Sequence, residues 1–175
     1  MFGIVDLPTY LIGTVVTILL PGPNSLFVLS VAARQGVADG YKAAGGVFLG
    51  DAILMVISVA GMASLLAAYP QLFIVMKLLG AAYLAWIGAS MRRSAFAGLK
   101  RPEGEPLPEA PRVSDPFRRT LAICLLNPKA IFFFMAFFIQ FVDHTYSYPA
   151  LSFALLGAML QVITFTYLSV LIFAG

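Results

Sequence analysis

The chain has 175 residues, of which 61% are hydrophobic and 11% charged, and its mean hydropathy is +0.93. Soluble globular domains carry about a quarter charged residues, so the composition excludes that class and indicates a membrane protein. The net charge of +3 is concentrated in loops, which argues against nucleic acid as a partner, and the single cysteine, Cys124, excludes a disulfide framework.

Five hydrophobic runs are long enough to cross a membrane. The first, residues 7–33, is uncharged and exceeds the roughly 20 residues that a hydrocarbon core about 30 Å thick requires. No basic segment or small-residue cleavage site precedes it, which indicates a retained span rather than a signal peptide. The other runs cover residues 43–68, 70–91, 120–142 and 149–174. The expected fold class is all-α, a polytopic membrane helix bundle.

The first span contains the motif PGPN at residues 21–24. Proline has no N–H to donate, and Gly22 can adopt dihedral angles that other residues avoid, so Pro21 and Pro23 predict a broken helix about 20 Å from its outer end. Asn24 or Ser25 would cap the helix that resumes. Its positive N-terminal end could then hold a substrate carboxylate within the membrane. The alternative interpretation is a simple proline kink.

The second span carries a carboxylate, Asp51, about 12 Å from its cytoplasmic end. A charge at this depth needs a partner or a proton, and intramembrane ionisable groups are commonly functional. Asp51 is therefore a candidate for proton coupling or for binding a substrate ammonium, or else a structural carboxylate that pairs with Lys129 or caps a freed backbone group. Gly46 and Gly50 precede it at the spacing of a helix-packing motif, and we expect the broken first helix to dock against them.

Basic residues define the orientation. Arg34 and Lys42 lie in the predicted first loop, and seven more lie in the proline-rich linker 92–119: Arg92, Arg93, Lys100, Arg101, Arg112, Arg118 and Arg119. The predicted loops on the other side contain no Lys or Arg. The positive-inside rule then places the linker in the cytoplasm and the N-terminus outside.

The fourth span repeats the disruption seen in the first. In LLNPK, residues 125–129, Asn127 is a plausible N-cap and Pro128 a plausible first helical residue, while Lys129 is too deep to reach the interface easily. Two broken helices three spans apart predict a 3+3 inverted repeat with its substrate site at the breaks. The halves would be residues 1–91 and 120–175. The second lacks a sixth span, so we expect the chain to be a fragment.

Three segments resemble the LysE/RhtB-type amino-acid exporters. They are PGPN at 21–24, GVFLGDAILM at 46–55 and LNPKAIFFFMAFFIQF at 126–141. The opening YLIGTVVTILLPGPNSLFVLSVA and the motif QFVD are most similar to the leucine-efflux branch of this family. The resemblance covers essentially the whole chain. It implies about six spans, a bacterial inner-membrane location and export of amino acids driven by the proton gradient.

The predicted substrate is a neutral amino acid such as leucine, because Asp51 is the only carboxylate deep in a span. The substrate carboxylate would bind at Asn24 and Ser25 with help from Lys129, and the ammonium would face Asp51 or a carbonyl freed by the prolines. The alternatives are another amino acid, such as homoserine or threonine, and a membrane subunit or inactive fragment without transport. Protons and lipid are the other expected partners, and a homo-oligomer is left open.

An enzyme is not expected. The spans contain no Ser/His/Asp set, no paired carboxylates and no metal-ligand spacing. We therefore assign no cofactor and no metal to the chain.

Overall fold

A computed structural model describes residues 2–68, 112–143 and 145–175, together with Val75, Leu78 and Ala82. Within these residues the chain is helical, apart from short connections and one isolated bridge between Ile4 and Val142. The predicted all-α class is therefore confirmed for the described part of the chain.

The first predicted span is broken as expected. Helix α1, Leu7–Leu19, and helix α2, Pro23–Gln35, are bent by 52° relative to each other. Gly22 is the N-cap of α2, with extended dihedral angles, so neither Asn24 nor Ser25 occupies that position. Ser25 acts from the first turn instead, because its hydroxyl accepts a hydrogen bond from the Gly22 N–H at 2.9 Å.

Only Gly36 separates α2 from the next helix, α3, Val37–Ala68. Its φ of 90° lies in a region that L-residues rarely adopt, which lets the chain reverse without a longer loop. The predicted first loop is therefore wrong in its extent: Arg34 lies in the last turn of α2, and Lys42 lies on α3. Counted from Val37, the first residue of α3, Asp51 lies about 21 Å along the helix. The predicted span, which began at residue 43, placed it about 12 Å from the span's end.

The fourth predicted span is also broken. Helix α4, Pro116–Leu125, and the segment beginning with α5, Pro128–Phe132, are bent by 53°. A π-helical stretch, Phe133–Phe137, and a 3-10 turn, Phe138–Phe141, continue α5. Because α4 begins at Pro116, the end of the predicted linker is helical, and Asp115 caps it by accepting a hydrogen bond from the Arg118 N–H at 3.0 Å.

The last helix, α6, runs from Pro149 to Ala174, as the sequence predicts. The N-terminal segment ties its start to the end of the fourth span. The Val5 N–H donates to the Phe141 carbonyl at 2.8 Å, and the Ser152 hydroxyl donates to the Phe2 carbonyl at 2.5 Å. These bonds hold the N-terminal segment against the end of the fourth span and the start of α6.

Helix α3 packs most extensively against α4. A Cβ atom at Gly50 would lie 2.7 Å from Cys124, and one at Gly46 would overlap the Phe117 carbonyl. The glycines are thus packing positions, but their partner is α4. The expectation that the broken first helix docks on this face is wrong, because α4 already occupies it.

Two hydrophobic cores hold the bundle together. One surrounds Tyr10, whose hydroxyl donates to the Leu156 carbonyl at 2.7 Å, and consists mainly of the phenylalanines after α5 and residues of α6. The other joins α2, α3 and the C-terminal half of α6 around Val28 and Ala43. Val47 and Leu168 of this second core reach the cavity described below.

Helices α3 and α6 are long and apolar enough to cross a membrane, and the two bent pairs add two spans if each counts as one. The predicted third span, 70–91, and most of the linker, 92–111, lie outside the described residues, although Val75, Leu78 and Ala82 are helical. The count of five spans, the inverted repeat and the sixth span stay predictions.

The close packing of α3 on α4 predicts that Gly46→Ala destabilises the protein by about 1–3 kcal/mol through overpacking. The control is Gly45→Ala, where the added methyl group would meet Phe117 at an ordinary 3.4 Å. Thermal unfolding in detergent should show a lower melting temperature for Gly46→Ala and no decrease for Gly45→Ala. Equal melting temperatures would contradict the described helix contact.

Candidate functional site

A cavity of about 90 Å³ lies where the two helix breaks meet. It is several times larger than the space of about 15 Å³ that one water molecule needs. Its polar lining residues come from α1 and the break that follows it, from α3, from the start of α5 and from α6. The polar and glycine residues that line it are Thr17, Gly22, Asn24, Ser25, Asp51, Asn127, Lys129, Thr164 and Tyr167.

The start of α2 supplies hydrogen-bond donors to this cavity. Pro23 has no N–H, and Leu26 is the first residue of α2 whose N–H reaches back to Gly22, at 3.0 Å. The N–H groups of Asn24 and Ser25 therefore have no partner within the helix. The Asn24 Oδ1 atom is also buried without a hydrogen-bond partner. This corner can accordingly bind both an anion and a donor group.

Asp51 projects from α3 and is 7% exposed. Its carboxylate accepts a hydrogen bond from the Cys124 thiol, with Sγ 3.3 Å from Oδ1. Sequence reasoning missed Cys124, and its position in an apolar stretch gave no signal of this role. Within the described part of the chain Asp51 has no ion pair with Lys129, so the structural pairing considered from the sequence is absent.

Lys129 reaches the other break. Its Nζ donates a hydrogen bond to the Leu20 carbonyl, one of the groups that lose their helical partner where α1 ends. The Asn127 Oδ1 accepts a hydrogen bond from the Lys129 N–H at 3.0 Å, which confirms Asn127 as the N-cap and Pro128 as the first residue of α5. The side chain of Lys129 thus connects the two broken spans.

The remaining walls are apolar. Phe133 and Phe134 lie directly after α5, and Leu160 and Leu168 lie on one face of α6 with Thr164 between them. The spacing of four residues puts these α6 positions in one row. The sequence did not reveal this row, because α6 is apolar on all sides and a helix of that kind has no distinct inner face.

The structure brings together six of the predicted site residues: Gly22, Asn24, Ser25, Asp51, Asn127 and Lys129. Pro21, Pro23 and Pro128 do not line the cavity and instead fix the backbone around it. Gln161 of α6 does not line the cavity; its side chain donates to the Phe48 carbonyl at 3.0 Å and so bridges α6 and α3.

The arrangement matches the chemistry of a zwitterion. The described lining residues of the cavity present one carboxylate, one ammonium, backbone N–H groups without helical partners and an apolar wall. Among the residues that the structure describes there is no group of three or more His, Cys, Asp or Glu that could hold a metal ion. The site therefore offers polar contacts for a small molecule with both charges.

A model of the LysE type translocator family matches residues 15–175. The chain belongs to this family. It is therefore a translocator and not an enzyme, and its apolar helices belong to a membrane protein.

Relatives match nearly the whole chain. An uncharacterized membrane protein of Pseudomonas aeruginosa is 56% identical, and a leucine efflux protein of Klebsiella pneumoniae is 44% identical. A leucine efflux protein of Salmonella typhimurium is 41% identical. Each match covers 99% of this chain and 81% of the relative. No solved structure matches this member of the translocator family.

The hydrogen bond at the first break predicts that Ser25→Ala destabilises this translocator by about 1–3 kcal/mol, because the buried Gly22 N–H loses its acceptor. The matched control is Ser30→Ala, an exposed position on the same helix. Thermal unfolding in detergent should separate the two variants. A Ser25→Ala protein as stable as Ser30→Ala would show that the Gly22 N–H finds another partner.

Proposed function

We propose that the protein exports neutral amino acids, with leucine or a similar apolar amino acid as substrate, and that protons drive this export across the bacterial inner membrane. The observation that carries the proposal is the cavity at the two helix breaks, where Asp51, Lys129 and an apolar wall face the same space. The family assignment and the leucine efflux proteins among its relatives agree with it.

The substrate carboxylate binds at the start of α2 in this proposal. The N–H groups of Asn24 and Ser25 are free of helical partners, and the positive end of the helix dipole favours an anion there. Lys129 lies at the same break, because its Nζ contacts Leu20. Two donors and one nearby cation suit a carboxylate better than a neutral group.

The substrate ammonium faces Asp51. This carboxylate has the Cys124 thiol as its described hydrogen-bond partner, and a thiol is a weak donor. A buried carboxylate with so little compensation favours a proton or a cation. Binding of the ammonium satisfies this requirement when substrate is present.

The same requirement links transport to protons. When the ammonium leaves Asp51, a proton from the outer side takes its place and lets the empty carrier return. Substrate and proton therefore compete for the Asp51 carboxylate. Such competition is sufficient to couple substrate export to proton import. The basic residues at one end of the bundle, among them Arg34 and Arg118, support the orientation in which that end faces the cytoplasm.

The side chain of the substrate packs against Phe133, Phe134 and Leu160. These residues are buried and offer neither a charge nor a hydrogen-bonding group to the side chain, so an aliphatic side chain fits and a charged one does not.

A second candidate substrate class is a hydroxyl-bearing amino acid such as threonine or homoserine. The hydroxyl of the buried Thr164 on the apolar wall makes no hydrogen bond within the described residues, whereas the hydroxyls of Thr120 and Thr166 each donate to a carbonyl one turn earlier, at 2.8 and 2.9 Å. The Thr164 hydroxyl is thus available to a polar side chain.

The proposal predicts that Asp51→Asn abolishes proton-driven leucine export, because the neutral amide can neither bind the ammonium by charge nor carry the proton. Leucine flux in reconstituted vesicles under an imposed pH gradient is the measurement. Asp39→Asn is the control, since Asp39 pairs with Lys42 at the surface at 2.7 Å.

Flux of the Asp51 variant should fall to the level of protein-free vesicles, while the Asp39 variant keeps wild-type flux. If Asp51→Asn exports leucine with unchanged dependence on pH, the carboxylate has no place in the mechanism.

The helix break predicts a second loss of function. Replacing both Pro21 and Pro23 by Ala should favour a continuous helix, remove the free donors from the cavity and stop leucine flux. The control replaces Pro8 and Pro149 by Ala, since both prolines lie at the starts of α1 and α6, away from the break between α1 and α2. Wild-type flux in the Pro21/Pro23 variant would show that the break is a kink with no role in transport.

A further inference from the structure

The cavity contains a balanced pair of charges that do not neutralise each other directly. Asp51 and Lys129 are the charged residues among the described lining residues, and no ion pair within 4.0 Å joins them. Each has another hydrogen-bond partner, since Asp51 accepts from Cys124 and Lys129 donates to the Leu20 carbonyl. Both charges therefore remain available to a ligand in the space between them.

Lys129 is held in this position by its surroundings. The Asn127 side chain accepts a hydrogen bond from the Lys129 backbone N–H at 3.0 Å, and Pro128 restricts the backbone conformation of Asn127. A Cβ atom at Gly22 would lie 3.4 Å from Lys129 Cδ and 3.5 Å from Nζ, so the lysine side chain runs along the break of the first span. The Lys129 side chain thus lines the cavity, with its ammonium beside the break of the first span.

We propose that Lys129 is the specificity-determining residue that excludes amino acids with a cationic side chain from this cavity. The inference rests on the proposed function, because it concerns which amino acids that site accepts.

Charge balance is the first reason. A neutral amino acid brings one carboxylate and one ammonium, which match Lys129 and Asp51. Lysine or arginine brings a second positive charge, for which the described lining residues offer no second carboxylate. That charge would be buried unpaired or placed beside the Lys129 ammonium, and like charges in a cavity of low dielectric repel strongly.

Occupation of the acceptor is the second reason. The Leu20 carbonyl is an acceptor that the break of the first span frees, and Lys129 already donates to it. Lys129 therefore opposes a cationic side chain both by charge and by filling the position that could bind it. Removing the charge while keeping a donor separates these two effects, which makes Lys129→Gln the informative variant.

The test uses substrates that differ by one charged group. Norleucine and lysine share a four-carbon side chain, and lysine adds a terminal ammonium. Each is offered at increasing concentration to vesicles that exchange radiolabelled leucine through the wild type, Lys129→Gln, Lys129→Arg and Lys42→Gln. The last is the matched control, since the Lys42 side chain is 64% exposed and lies away from the cavity.

In the wild type, norleucine should inhibit leucine exchange at least about tenfold more strongly than lysine, since like-charge contacts change affinity by that order. Lys129→Gln should reduce this preference to near unity or reverse it. Lys129→Arg and Lys42→Gln should keep the wild-type preference. Selectivity would then follow the charge at residue 129 and not the substitution itself.

Two results would overturn the inference while leaving the proposed function intact. One is a wild type that exchanges leucine but accepts lysine as readily as norleucine, an outcome that needs no variant to fold. The other is a Lys129→Gln protein that exchanges leucine and still rejects lysine. A wild type that exchanges no leucine at all would instead refute the proposed function, so the two failures are distinguishable.

Discussion

The structure depends on how the peptide groups at the two helix breaks find hydrogen-bond partners away from water. An unpaired N–H or carbonyl in hydrocarbon costs several kcal/mol, so a span can be interrupted only where other groups replace the lost helical bonds. Three contacts do this here. The Ser25 hydroxyl accepts from Gly22, the Asn127 side chain accepts from the Lys129 backbone, and the Lys129 ammonium donates to Leu20. The N–H groups of Asn24 and Ser25 have no such replacement within the helix, and they contribute to the polar side of the cavity.

Packing brings the two breaks together. The bends of 52° and 53° turn both broken spans toward a common space, and α3 passes beside it. Helix α3 can lie this close to α4 because Gly46 and Gly50 have no side chain at the contact, and that contact in turn places the Cys124 thiol against Asp51. The same glycines that hold two helices together therefore set the surroundings of the buried carboxylate. Packing and chemistry are not separable at this position.

A translocator needs a site that binds its substrate without holding it permanently. In the proposed function this site is the cavity, where a thiol and a backbone carbonyl partly satisfy the two charges and leave them able to bind a substrate. The apolar wall formed by Phe133, Phe134 and the leucines of α6 shapes the cavity and adds no group that needs a hydrogen-bond partner. Small-molecule sites generally combine apolar walls with a few placed polar groups, and the cavity of this translocator has both.

The sequence by itself determined the membrane class, the positions of both breaks, the family and six of the residues around the cavity. These follow from local rules: proline and glycine disrupt a helix wherever they occur, and a charge in an apolar run is costly wherever it lies. Tertiary structure alone decided which surfaces meet. It placed Cys124 at Asp51, turned Lys129 to Leu20 instead of Asp51, put α4 rather than the first span on the glycine face, and selected the Leu160, Thr164 and Leu168 row of α6. In a helix that is apolar on every side, only the neighbouring helices define which face lies inside.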